Sequence, residues 1–226
     1  MNWQGWSRRD VLLGAAGSVA SLSLSRSAFA KNPNKWETIT REQAILVSTR
    51  VEPGRQFPSF RGIGRVNGSV WEVLAILADA DRHMEWMHQC NGSKLIKELD
   101  SSSQIIYNRT DAPWPVKDRD VVLRSNYTVA KEGKDIWSRF KQTRDGAMGP
   151  VDGVVRMPTL TGHYHLVSTS EAQCLVEYRV NADPGGSLPD WLVTQTTKDL
   201  PLHTLINLRS RVKKMSGSYD LGRFKT

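Results

Sequence analysis

The chain has 226 residues, with 31 Lys and Arg against 23 Asp and Glu, a formal net charge of +8 and 39% hydrophobic content. That supports one globular domain with a sizeable core, or two small ones, and excludes a disordered or collagen-like chain. The basic excess leaves nucleic acid and membrane surfaces open as partners until the charge is located along the chain.

The first segment reads as an address. Ser7, Arg8, Arg9, Asp10, Val11 and Leu12 form a twin-arginine pattern. A small, apolar run over 11–24 follows, then Arg26 and a small-residue cleavage site at Ala28, Phe29 and Ala30. Residues 1–30 are therefore expected to be a twin-arginine signal peptide, cleaved before Lys31. The run is too short, and too rich in Gly and Ser, for a membrane span of about 20 apolar residues. Cleavage removes Arg8, Arg9, Arg26 and Asp10, leaving 28 basic and 22 acidic residues and a net charge of +6. The expected product is one soluble domain, 31–226, in the periplasm or beyond; no repeat or composition break divides it.

Residues 43–51 and 59–67 read as strands joined across Glu52, Pro53 and Gly54, which is turn chemistry. Asn67 or Ser69 can cap a helix with apolar positions at Val70, Trp71, Val73, Leu74, Ile76 and Leu77, and Asp81 can start a second, short one through Met87. Six β-rich runs follow, at 94–99, 104–110, 121–130, 136–143, 154–168 and 174–182. Their short separators favour antiparallel hairpins over parallel crossovers. The last element is a helix whose apolar face carries Leu188, Trp191, Leu192, Leu202, Leu205, Ile206 and Val212. Pro201 falls inside it and predicts a kink or break. Arg209, Arg211, Lys213 and Lys214 gather at its C-terminal end, where cations complement the helix dipole. The other basic residues are scattered, which with export argues against a nucleic-acid partner. One antiparallel sheet and one long amphipathic helix to cover it predict an α+β helix-grip fold. In it a curved antiparallel sheet wraps around the long C-terminal helix, leaving room for an internal apolar cavity.

Three blocks carry a family resemblance. Residues 60–66 (FRGIGRV) lead into Trp71, Glu72, Val73, Leu74, Asp79 and Trp86; 112–122 read APWPVKDRDVV; and 183–193 read DPGGSLPDWLV. In this order, over roughly 36–215, they resemble the START family, the steroidogenic-acute-regulatory-related lipid transfer domains. The resemblance implies one lipid, such as a sterol, phospholipid or other hydrophobic molecule, held between sheet and helix, and transient contact with membrane surfaces. Pro113 and Pro115 stiffen a loop that, by the same resemblance, lies beside the last helix and helps to gate the cavity.

Val121, Leu123 and Ser125 share one face of their strand, and the resemblance implies that this face looks inward. Where sterol-binding members carry a second basic residue this chain has Ser125, and the preceding strand (Tyr107, Asn108, Arg109, Thr110) lacks the partner acid. Sterol specificity therefore does not carry over. The spacing from Tyr107 to Arg119 is closer to the phosphatidylcholine-transfer branch, which makes Arg109 a candidate for a phosphate or another polar head. The ligand-binding residues expected on this basis are Tyr107, Arg109, Trp114, Arg119, Val121, Leu123, Ser125, Tyr178, Trp191, Leu192 and Leu205.

Catalytic signals are weak. There is no G-x-S-x-G elbow and no metal framework. His163 and His165 share a strand face without a third ligand. The expectation is a monomeric, non-enzymatic carrier with no catalytic residue, metal or cofactor. The alternative, implied by the wider superfamily, is an aromatase/cyclase-type enzyme acting on a polycyclic or acyl substrate in the same pocket. The resemblance also sets Cys90 at a sheet edge and Cys174 near its centre, which argues against a disulfide needing Cα atoms within about 7 Å.

Overall fold

In the computed structural model the described residues are 35–145 and 148–224. The predicted export segment, 1–30, lies outside them. The chain runs through β1 (Glu37–Glu42), β2 (Ile45–Arg50), β3 (Ser59–Val66), α1 (Val70–Ala78), a 3-10 turn (Ala80–Glu85), β4 (Cys90–Asp100), β5 (Ser103–Thr110) and β6 (Arg119–Ala130). It continues with β7 (Asp135–Gln142), β8 (Val155–Arg156), β9 (Thr159–Ser170), β10 (Gln173–Asp183), α2 (Asp190–Met215) and a final 3-10 turn (Gly222–Phe224). The strands form one sheet in the order β1-β2-β3-β10-β9-β7-β6-β5-β4, with β8 pairing alongside β6. Every pairing is antiparallel except that of β8. The sheet curls around α2 in the helix-grip arrangement. Sequence patterning missed β1, whose residues alternate weakly because it lies exposed at the sheet edge.

Local chemistry explains the helices. Ser69 caps α1: its hydroxyl accepts from the Glu72 N–H, while the Glu72 carboxylate accepts from the Ser69 N–H at 2.8 Å. This reciprocal box satisfies two donors that a bare helix start leaves unpaired. The Ser69 N–H also holds the Glu72 carboxyl below its usual range. Helix α2 runs unbroken through Pro201, contrary to the expected break. Its docking explains why: Gly62 and Gly64 thin β3 beneath it. A Cβ on Gly62 would stand 3.0 Å from Leu205 Cδ1 and 3.1 Å from the Pro201 carbonyl. The strand surface thus accepts the helix at close range from the proline onward.

The core joins this docked stretch to α1 and the sheet. Ile45, Val47, Leu74, Ile136, Leu166, Leu202, Leu205 and Leu208 are all fully buried in it. Of the predicted basic cluster, only Lys213 and Lys214 remain exposed. Arg209 donates to the carbonyls of Arg65 and Gln43 at 2.8 and 2.7 Å, and Arg211 is buried against Glu85. Cys90 opens the edge strand β4, Cys174 is buried on β10, and both thiols are free.

Candidate functional site

A cavity of about 180 Å³ lies between the concave face of the sheet and the first half of α2. Register selects its wall. Val121, Leu123 and Ser125 face inward from β6, and the pairings Asn108 to Val121 and Ile106 to Leu123 bring those β5 residues to the same face. Phe140 of β7, Tyr164 of β9 and Tyr178 of β10 extend the wall around the curve. Leu188, Val193, Thr197 and Leu200 close it from the helix side. His83, Met87 and His88 close it from the segment after α1. Among the described residues no Lys, Arg, Asp or Glu lines this cavity.

Its polar groups are few and neutral. The rings of Tyr164 and Tyr178 stack at 4.4 Å between centroids, and burial pushes both hydroxyls above their usual range. The Tyr164 hydroxyl is buried and, among the described residues, has no partner in good hydrogen-bond geometry; Tyr178 acts on it both through charge and as a weak hydrogen-bonding neighbour. Such an unpaired buried group costs about 1–3 kcal/mol. His83 is buried, and burial holds its pKa below the usual value. Its Nε2 lies 3.0 Å from the Leu77 carbonyl, which can only accept, so Nε2 carries the proton and Nδ1 is a lone pair. The 3.3 Å contact between Nδ1 and the Asn108 amide is then a hydrogen bond only with the amide NH₂ turned toward the ring. That orientation leaves the Asn108 carbonyl free on the cavity side, toward Met87. Besides the hydroxyls of Ser125 and Ser138, the wall therefore carries the Tyr164 hydroxyl and the Asn108 carbonyl as neutral polar groups.

Four of the sequence-predicted residues, Val121, Leu123, Ser125 and Tyr178, line the cavity. The other seven do not. Tyr107 pairs with Val122, so it shares the outer face with that residue and packs beside Ile105 under Met148 and Val151. Arg109 follows the same parity and is held by Asp118, with Nε and Nη2 at 2.8 and 2.6 Å from its carboxylate. No phosphate site can be built on it inside the cavity. Arg119 is buried at the start of β6 and donates to the carbonyls of Lys117 and Gly185, tying the proline-rich loop to the turn before α2. Trp114 is 91% and Trp191 54% exposed, so both face outward rather than into the cavity. Leu192 is buried but does not reach the cavity, and Leu205 belongs to the solid core over Gly62.

His163 and His165 lie on the outer face, where they flank Trp137 and bond to Glu177 at 3.1 Å and Asp135 at 2.8 Å. Among the described residues no group of three or more His, Cys, Asp or Glu could hold a metal ion. Sequence reasoning missed Tyr164, Asn108, Phe140 and His83. Tyr164 was within reach, because two polar neighbours pointing outward require the residue between them to point in.

The START domain sequence model matches residues 25–214. The chain belongs to the START domain family. It is 34% identical to the STAR-related lipid transfer protein (fragment 25–204) of Xanthomonas axonopodis, with a TM-score of 0.71 over 79% of this chain and 98% of that one. An uncharacterized Pseudomonas aeruginosa protein is 29% identical across 92% of this START domain chain and 97% of its own length. The fold alone is shared with human StAR-related lipid transfer protein 5, at 18% identity and a TM-score of 0.73 over 82% of this chain and 89% of that one.

Proposed function

We propose that this START domain binds one lipid molecule, holds the uncharged body of that lipid in the cavity, and carries or presents it as a monomer in the periplasm. The observation that carries the reading is the lining, which is mainly apolar with some neutral polar groups and, among the described residues, has no Lys, Arg, Asp or Glu. Apolar surface moved into it gains about 25 cal/mol per Å². A charged group moved there loses its hydration and finds no counter-ion, at a cost of several kcal/mol. The Tyr164 hydroxyl and the Asn108 carbonyl suit one neutral polar group on the ligand. The lipid-transfer description of the Xanthomonas relative supports the same class of ligand.

The size of the cavity says how loading must work. About 180 Å³ is below the roughly 300–1,000 Å³ of ordinary small-molecule sites, so a whole lipid requires the cavity wall to give. The first half of α2 is the part that can move, because its inward residues meet the cavity instead of a packed wall. Trp114 and Trp191 flank the Arg119 to Gly185 tie at that end and are both exposed, which suits brief contact with a membrane interface. Export rests on the twin-arginine pattern at Ser7 to Leu12.

A carrier fits the lining better than a catalyst. His83 has both ring nitrogens committed, and burial pushes the Cys90 thiol and both tyrosine hydroxyls up, so these groups remain protonated and unreactive near neutral pH. Native mass spectrometry of the protein purified from its own cells, with extraction of the bound compound, tests the reading. A monomer carrying one unmodified lipid, recovered from the periplasm without residues 1–30, is the expected result. Accumulation of a chemically altered compound on incubation would establish the enzyme instead, and an uncleaved cytoplasmic protein would remove the export step.

A further inference from the structure

A second chamber, of about 410 Å³, opens where the cavity ends. Ser125 of β6 and Ser138 of β7 line both spaces, so two small side chains are the partition between them. The far chamber is bounded by Leu74 and Ala78 of α1, the Asp100–Ser103 turn of the β4–β5 hairpin, and Tyr127 of β6. The C-terminal turn roofs it. Phe224 is buried, with its ring edge-on to Tyr127 at 5.8 Å.

The chemistry of this chamber is unlike that of the first. Among the described residues the hydroxyls of Ser125 and Ser138 have no hydrogen-bond partner, although Ser138 is buried. Gln104 donates its amide to the Ala78 carbonyl at 3.1 Å and leaves its own carbonyl unused. The charged groups at the edge are Glu98, Asp100 and Arg223. Hydrogen bonds from Ser102 and Ser103 hold the Asp100 carboxyl down at about 2, so it is ionised at every working pH. Two carboxylates against one guanidinium disfavour an anionic group, whereas the free serine hydroxyls and the Gln104 carbonyl suit neutral donors and acceptors.

We infer that the second chamber is the polar subsite of the same ligand: an amphiphile with its apolar body in the cavity passes between Ser125 and Ser138 and places an uncharged, hydroxyl- or amide-bearing end beneath Phe224. This rests on the reading of the cavity as a lipid site and deepens it by naming the end group. The class is a neutral lipid such as a hydroxylated glyceride or glycoside, as opposed to a phosphate monoester of the same chain.

The test uses the full mature chain and three probes. 1-Aminoanthracene, small, neutral and apolar, reports on the first cavity alone; 1-monolauroylglycerol and lauroyl lysophosphatidic acid, with equal chains, compete against it. Displacement by the glyceride at a concentration at least tenfold lower than by the phosphate is expected. Gln104→Leu, which removes the unused carbonyl of the far chamber at a residue outside the first cavity, should raise the glyceride concentration needed at least tenfold, leaving 1-aminoanthracene affinity within twofold. Phe224→Ala, which unroofs the chamber without touching the cavity, should speed glyceride exchange and leave the aminoanthracene rate unchanged. Equal displacement by the two amphiphiles, or equal effects of either substitution on all probes, overturns the subsite. Failure of 1-aminoanthracene to bind the unaltered protein overturns the cavity reading itself.

Discussion

The two halves of α2 do different work although the helix is continuous. From Pro201 to Met215 it presents Leu202, Leu205, Leu208 and Val212 to β2, β3 and α1, all within 2% exposure, and Arg209 ties it to the carbonyls of Gln43 and Arg65. From Asp190 to Leu200 only Leu192 and Thr197 are buried, and the inward residues meet the cavity instead of a packed wall. A side chain that faces a void forfeits the dispersion contacts a packed neighbour would give. The consequence is a clamp joined to a lid. Local opening follows the least buried part of a structure, so the first half can lift while the second holds the fold.

The largest way to break the clamp is Leu205→Asp. Leu205 is fully buried over Gly62, so the substitution removes a core side chain, worth about 2–5 kcal/mol as Leu→Ala, and adds an uncompensated buried charge. Against a typical domain stability of about 5–15 kcal/mol, that should abolish cooperative unfolding as followed by circular dichroism. A native-like transition at the original midpoint would mean the clamp has been misplaced. Gly62→Val asks the same question from the strand side. Its new Cβ would lie 3.0–3.2 Å from Leu205 Cδ1, the Pro201 carbonyl and Pro201 Cβ, an overpacking worth about 1–3 kcal/mol in urea denaturation.

Val193→Ala is the matching change in the lid. Half-buried over the cavity, it should cost less than about 1 kcal/mol of stability. It should still weaken 1-aminoanthracene binding about fourfold, the equivalent of about 0.8 kcal/mol for one methylene-sized loss of apolar contact. A stability loss as large as that of Gly62→Val, with binding unchanged, would erase the distinction between the halves.

How far this division could be read from the chain depends on the kind of information each part needs. Hydrophobic alternation and short turns were sufficient for most strands, the Ser69 cap for α1, and the APWPVKDRDVV and DPGGSLPDWLV blocks for the family. Alternation also settled that Val121, Leu123 and Ser125 share a face. It could not settle which β5 residues join them, because that depends on register across a pair of strands. A slip of one residue moves Tyr107 and Arg109 inward in place of Ile106 and Asn108. Leu205 and Leu200 are equally apolar in sequence. Only the bare backbone of Gly62 beneath one of them, and the curve of the sheet away from the other, separates core from cavity.

Acid should act on the cavity side first, with the smallest of these effects. Burial holds His83 and His88 below the usual histidine value, and His88 meets His203 at 4.8 Å where the lid gives way to the clamp. Above about pH 6.5 both are neutral folded and unfolded, and they contribute no pH dependence. As pH falls below that value the unfolded chain takes up protons that the folded one refuses, so stability drops with falling pH until each folded pKa is reached. The slope is at most about 1.4 kcal/mol per pH unit for His83, and less for the half-buried His88. The carboxylates held low by their partners, Glu52, Glu72, Asp118, Asp135 and Glu177, lose their contribution only at lower pH, which leaves the window from about 6.5 to 5 to the histidines. Urea denaturation across that window should therefore show a decline that His83→Gln flattens. Amide exchange, corrected for intrinsic rates, should rise in 190–200 before 201–215. Equal rises in the two segments would mean that acid loosens the helix as one body and that Pro201 marks no boundary in it.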